Sequence, residues 1–393
     1  MSPARTSALQ SNVVNAELAM AEVFVASRLT MARSLRGFTA NALAKQADVT
    51  PEWLSKVERG HTTPSKELVN RLAKELDFPV EFFHRDSVPL PPTEAFHFRA
   101  SSKLALKDET AARALASLAC ELSEWMDRTY ELPIPGVPEI QELAGAEIEP
   151  SPDVAAEALR SFWGLGTAPI SNMVALLEAK GARIFSVNGA FQSIDAFSFR
   201  HNGSAIIFLN PSKSAERLRF DLAHELGHLL LHGGSLYESR NKLRERQAND
   251  FASGFLMPRA GLLGSLRGNI SLDHLPRLRD FWKVSAMAIV VRLHQLGVIT
   301  DWTYRLMCQE LSKRGFRRAE PGSTLIPESS SLWTQIIADL RDQSLGYPYL
   351  ASLIGVRAAD IRSLLVGLVP MAIKGSATKS SRGTGNLWLV ELA

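Results

Sequence analysis

Cysteine is scarce: Cys120 and Cys308 are the only two in 393 residues, far apart and outside any metal-ligating spacing. A disulfide framework is excluded, and a reducing cytoplasm is the compartment expected. Long apolar runs are missing too, none reaching the roughly 18–20 residues needed to cross a bilayer. Residues 1–15 are polar and Ser-rich without the apolar stretch of a signal peptide, so neither secretion nor a membrane partner is expected. A charge excess of one sign is also lacking, because a net charge of +3 is too small by itself to mark a nucleic-acid binder. What the chain does have is 46% hydrophobic against 22% charged residues, which excludes wholesale disorder and leaves room for two or three domains.

Charge is uneven along the chain. Residues 16–85 hold 10 Lys+Arg against 9 Asp+Glu, residues 86–149 hold 5 against 12, and residues 277–320 hold 9 against 4. In the last stretch Lys313, Arg314, Arg317 and Arg318 bunch together, a pattern that reads first as a solvated face and second as a phosphate contact. Hydrophobic periodicity then divides the chain. Residues 1–15 are expected as a disordered tail, 16–85 as a first folded domain, and 86–149 as a linker with an acidic helical segment. Residues 150–322 are expected as a mixed domain with a helical extension, and 323–393 as a helical C-terminal domain. Pro89, Pro91 and Pro92 make residues 82–98 a linker. Helical spacing returns over residues 104–125, 151–163 and 170–180, then yields to β-rich runs at 183–187, 196–200 and 205–209. Asn202-Gly203 between the last two runs predicts a hairpin. Long helices are predicted over 215–232, 241–255 and 285–296, and 322–331 reads as a polar linker.

Residues 39–60 carry a specific pattern. Thr39 is placed to cap a short helix that buries Leu43 and Ala44, and Ala47 is small enough for two helices to cross closely. Val49 plugs the turn, and Thr50 caps a second helix with Pro51 at its first position, where a missing N–H costs nothing. That helix buries Leu54 and Val57, ends at Gly60, and turns Pro51, Glu52, Ser55 and Lys56 toward solvent, where a major groove would lie. Over residues 16–84 the pattern resembles the Xre-type (Cro-like) helix-turn-helix repressors, including the ending Phe78-Pro79-Val80-Glu81-Phe82-Phe83. The resemblance implies duplex DNA of operator type as a partner. Ala40 stands where many relatives carry a phosphate-anchoring Gln, and Glu52 can accept only from cytosine in the groove. Weak binding by one copy, improved in a homodimer, is therefore the expectation.

A second pattern, Phe220-Asp221-Leu222-Ala223-His224-Glu225-Leu226-Gly227-His228, places two histidines four apart on one helical face with a glutamate about 100° away. The helix is otherwise apolar, so burying these three side chains is unfavourable unless something satisfies them, and a divalent metal does. Glu245 lies on the apolar side of the next helix, near Ala248, Asn249 and Phe251, and is the candidate third ligand; Glu238 competes more weakly. His232 is either a fourth ligand or a helix C-terminal charge. Asp221 either orients His224 or faces solvent, and Tyr237 and Asn249 are candidate donors to an oxyanion. A β-hairpin, Arg217, Arg219 and Phe220, the His-Glu-x-x-His run, then Glu245, Asn249 and Met257-Pro258 together resemble the ImmA/IrrE family of metallopeptidases. This resemblance implies Zn2+ held by His224, His228 and Glu245, Glu225 as general base, and repressor-type proteins as substrates. With the first domain it covers some three quarters of the chain.

The expected fold class is thus mainly α with a small β-sheet (α+β): an N-terminal all-α helix-turn-helix domain, a central zincin-like domain and a helical C-terminal region. In that last region Leu350-Ala351, Val356, Ile361, Leu364 and Gly367 repeat the offsets of Leu43-Ala44, Val49, Leu54, Val57 and Gly60. They read as either an ordinary helical pair or a second helix-turn-helix, with Lys374, Lys379 and Arg382 following. The functional expectation is a cytoplasmic DNA-binding regulator fused to a zinc endopeptidase in stress or prophage control. The alternative is a regulator whose zincin-like domain senses or supports without cleaving.

Overall fold

Three hydroxyl side chains start three N-terminal helices. The Oγ1 of Thr39 accepts from Ala42 N, that of Thr50 from Trp53 N, and Ser65 Oγ from Leu68 N, at 3.1, 3.2 and 3.4 Å. The computed structural model describes residues 23–87, 97–100, 105–144, 151–187, 194–232, 242–268, 270–317 and 319–370, with backbone only at 97–100 and 144. These residues fall into two compact units, one within Met1–Pro89 and the other within Leu90–Ala393.

The first unit holds α1 (Ala26–Leu35), α2 (Ala40–Gln46), α3 (Pro51–Glu58), α4 (Lys66–Leu76) and a 3-10 turn, Val80–His84. Leu29, Ala32, Leu43, Leu54, Val57 and Leu72 form its fully buried core. Residues 16–22 of the expected first domain lie outside the described residues. The linker expected from residue 82 begins later, because Phe82 and Phe83 are fully buried in this core. Phe82 lies 4.5 Å from the Phe78 ring, and the buried Arg28 guanidinium stacks over it while Nε donates to Asp86 O. Aromatic packing at the domain's end outweighs the proline signal downstream.

The second unit opens with β1 (His97–Ala100), then α5 (Leu106–Thr129), α6 (Ile140–Ala144), α7 (Pro152–Phe162) and α8 (Met173–Ala179). Strands β2 (Arg183–Ser186), β3 (Ile194–His201) and β4 (Ser204–Leu209) follow. The sheet order is β1-β3-β4-β2, with β1–β3 and β3–β4 antiparallel and β2–β4 parallel. The hairpin turn is made by Asn202 (φ 49°) and Gly203 (φ 81°), two successive left-handed residues whose twist suits the strands. Strand β1 falls where the sequence reading placed a linker; Phe98 and Ala100 do alternate with His97 and Arg99, but four residues just after a run of prolines are too few to mark a strand by themselves.

Helix α9 (Ala215–Leu231) packs along β3 and β4, and α10 (Lys242–Leu256) packs between α9 and α7. Then come α11 (Arg259–Ser265), α12 (Leu275–Trp282), α13 (Ala286–Gln295) and α14 (Asp301–Lys313). At the end of α14, Lys313 and Arg314 both face Glu310, at 3.7 and 3.2 Å, so part of the basic cluster is neutralised within its own helix; Arg318 lies outside the described residues.

The stretch expected as a polar linker, 322–331, is instead fastened to the core. Glu328 Oε2 accepts from Met173 N and Val174 N at the start of α8, while Glu178 in α8 accepts from Ser331 N and Leu332 N at the start of α15 (Ser331–Asp342). Each carboxylate satisfies the other helix's open N–H groups, a reciprocal arrangement that single-segment reading does not see. Finally α16 (Tyr347–Ile354) and α17 (Ala358–Leu365) pack on α5 and β2 respectively. They share the α2–α3 offsets down to a left-handed turn residue, Asp48 (φ 53°) in one and Gly355 (φ 69°) in the other. Lys374, Lys379 and Arg382 lie outside the described residues. The architecture is mostly helical with a small sheet, as expected. Among the described residues, no helix is long and apolar enough to cross a membrane.

Candidate functional site

Gly227 sets the spacing between α9 and α10. A Cβ there would lie 2.9 Å from the Phe251 ring and 3.3 Å from Ala248 Cα, so only glycine allows the two helices this close. The approach carries Glu245, at the start of α10, to the two histidines of α9. His224 Nε2 and His228 Nε2 are 3.0 Å apart, and Glu245 oxygens lie 3.4 and 3.2 Å from them. Among the described residues these three form the one group of metal-ligating type with its donor atoms within 4.8 Å of one another. Tetrahedral zinc at 2.0–2.1 Å from its ligands requires ligand–ligand separations of about 3.3–3.4 Å. The observed edges are close to that, and the donor set of two imidazoles and a carboxylate suits zinc.

Electrostatics point the same way. Two imidazole nitrogens 3.0 Å apart need a proton or a cation between them. Burial pushes His228 down to about 4, so its ring is a neutral base near neutral pH, and either one ring's own Nε2–H or a cation lies between the two nitrogens. Burial alone would raise the Glu245 carboxyl, but hydrogen bonds and charge from His224 and His228 outweigh it and hold the group well below the usual carboxylate range. His224 Nδ1 faces Asn249 Oδ1 at 3.1 Å. With the Nδ1–H donating there, the Nε2 lone pair points into the cluster.

Glu225 is fully buried beside the cluster, and its Oε2 accepts from Ser198 Oγ of β3 at 2.6 Å. The far end of α9 is held by Arg200, whose guanidinium donates to Leu229 O as well as to Val137 O and Pro138 O. Near its start the buried Arg219 donates to Lys283 O and Ile170 O and pairs with Glu328. The helix carrying the motif is thereby fixed at both ends.

Several expectations change. Asn249, read as an oxyanion donor, turns its Oδ1 to His224 Nδ1 and keeps its amide NH2 as a donor, and Asp221 is fully buried rather than facing solvent. His232, read as a fourth ligand or a helix C-terminal charge, is the buried C-cap residue of α9, its ring 5.6 Å from that of His228. Tyr237 and Glu238 lie outside the described residues. Ser198 and Glu328 were missed. Ser198 sits in a strand whose alternation aims it at α9, but nothing in the sequence marks α9 as the element beneath it.

In the first unit, Thr39, Pro51, Glu52 and Lys56 are exposed and Ser55 is half-buried, with Arg59 Nη2 donating to Ser55 Oγ at 2.9 Å. Thr39 and Thr50 spend their hydroxyls on helix caps, so what they offer a phosphate is the helix N-terminus.

Comparison with known proteins gives the class of each unit. Residues 25–81 match the family model described as a helix-turn-helix domain, and residues 177–294 match that of the IrrE N-terminal-like domain. The chain therefore joins a DNA-binding helix-turn-helix domain of Cro/XRE-like type to an ImmA/IrrE-like domain of a metallopeptidase family. It is also 34% identical over 76 residues to the phage-like element PBSX protein XkdA of Bacillus subtilis (strain 168), a match covering 19% of this chain and 38% of that protein. The similarity thus spans well under half the relative's length.

Proposed function

We propose that the chain is a zinc-dependent endopeptidase carried by a DNA-binding reader, acting on a repressor-type protein in stress or prophage control. The observation that carries this reading is the juxtaposition of His224, His228 and Glu245 with a second, separately held carboxylate, Glu225. A site that served only to brace the fold would close its coordination sphere and would not need that neighbouring carboxylate. The likeness to a phage-element protein supports the prophage setting, and the two free cysteines suit the cytoplasm.

In this reading His224, His228 and Glu245 hold the metal, which supplies Lewis acidity toward a peptide carbonyl and makes water acidic near neutral pH. Ser198 donates to one oxygen of Glu225 and holds the carboxylate in place, and Glu225 accepts the proton of the attacking water. As the C–N bond breaks, Glu225 returns that proton to the leaving amine. Asn249 fixes the His224 ring. On the reader, Pro51, Glu52, Ser55 and Lys56 face the major groove, the helix starts at Thr39 and Thr50 face phosphates, and a homodimer spans two half-sites.

The test is cleavage of helix-turn-helix repressors encoded beside this chain by the zinc-loaded protein. Glu225→Gln should retain zinc and lose about 10²–10⁴-fold in rate. Equal cleavage by both forms would refute the catalytic role, and a protein that binds no zinc would refute the site.

A further inference from the structure

The outer edge of β3 is taken by a piece of chain that belongs to neither the reader nor the metal helices. Without β1, β3 would be the free edge of the sheet, since the order is β1-β3-β4-β2. It is also the strand that reaches Glu225, through the Ser198 hydroxyl at 2.6 Å. β1 lies antiparallel along it in the register His97↔Ser198, Phe98↔Phe197, Arg99↔Ala196, so its backbone runs beside the residue that touches the carboxylate. Adding an extended segment to a sheet edge is how proteins capture peptides through main-chain hydrogen bonds. The segment here is short, and its register shifts between Arg99 and Ala100, so regular pairing with β3 covers only three residues.

We propose that the outer edge of β3 is the peptide-binding strand of the Glu225 site and that residues 97–100, in the segment joining the reader to the metal unit, are its resident occupant. An extended peptide substrate has to take their place. This inference rests on the peptidase reading for its consequence, but the occupancy can be tested by itself. A tethered strand competes at an effective concentration on the order of millimolar, so it masks the edge from a free peptide of micromolar affinity.

The probe is a dye-labelled peptide with the sequence of residues 94–103, added to the full-length, zinc-loaded chain. One variant, Phe98→Pro with Arg99→Pro, removes two successive N–H groups, so at least one facing β3 is lost whichever the phase. A second, Arg99→Cys with Ala196→Cys, ties the paired positions when oxidised and frees them when reduced, with disulfide formation checked by mass. The proline variant should bind the probe at least about tenfold more tightly than the native chain. The oxidised pair should bind it no better than the native chain, and reduction should undo the lock. If the proline variant does not fold, the oxidised and reduced forms of the cysteine pair carry the comparison, with the reduced form expected to bind more tightly. Equal binding by locked and loosened forms, or no binding by any, overturns the proposal. A probe that binds the loosened form but is never cut upholds the occupancy and counts against the peptidase; a probe cut equally by locked and loosened forms does the reverse.

Discussion

In the N-terminal unit the candidate contacts Pro51, Glu52 and Lys56 are exposed, and beneath them Leu43, Leu54 and Val57 are fully buried. The second unit inverts this. His224 and Glu225 are as buried as Leu226 beside them, and the polar groups are enclosed by the core rather than carried on it. The first arrangement costs little and is held by caps three residues long. The second is unfavourable unless each buried group finds a partner, so its stability rests on neighbours remote in sequence and, on the proposed function, on a cation as well. A surface reader can change its contacts without refolding; an enclosed metal site cannot.

The largest test of that contrast is removal of the metal. Stripping zinc, with loss verified by metal analysis, should lower the melting temperature of the second unit by roughly 5–15 °C, because a ligand present at 100–1,000 times its Kd adds about 3–4 kcal/mol. Hydrogen exchange read by mass spectrometry should show lost protection along α9 and α10 and none along α1–α4. Equal losses in both units, or none in either, would break the contrast.

A smaller effect separates the groups that hold the metal from the group that aims one of them. Asn249→Ala leaves the two imidazoles and Glu245 in place but frees the His224 ring to rotate, and it should weaken zinc affinity about 10–100-fold. Competition against a chelating dye measures this directly. An unchanged affinity would mean that the ring is held by packing alone.

How much of this could be read from the sequence follows the same contrast. Thr39, Thr50 and Pro51 act within three or four residues, so their roles were legible at once. His224 and His228 were legible because helical periodicity puts polar groups where only apolar ones belong. Glu245 was reachable by the same logic on the following helix. Ser198, Asn249 in its bonding role, and the Glu178–Glu328 exchange were not, because each depends on how elements 25 or more residues apart come into register. β1 was hidden for a different reason: a four-residue strand is defined by its partner rather than by its own composition.

The smallest effect uses pH to set the two units against each other. Among the described residues of the first unit, Glu67 is an exposed helix-start residue whose carboxyl is lowered by local hydrogen bonds. In the second, burial raises Glu320 to about 7, against the pull of a hydrogen bond from Ala286 N and with the Glu216 carboxylate adding to the rise. The folded chain therefore holds this proton more tightly than the unfolded chain, whose value is near 4.5. The stability so gained is full below about pH 4.5 and is lost as the pH climbs through about 7. Glu320→Gln keeps the acceptor for Ala286 N–H without the charge. It should match the native protein at pH 4.5 and exceed it at pH 8 by on the order of 1 kcal/mol after allowance for solvent screening, or about 2–4 °C in the second unit's melting temperature. Exchange protection in α1–α4 should not respond to the substitution at either pH. A gain at pH 8 that persists undiminished at pH 4.5 would show that packing, not the carboxylate's proton, is what the substitution changed.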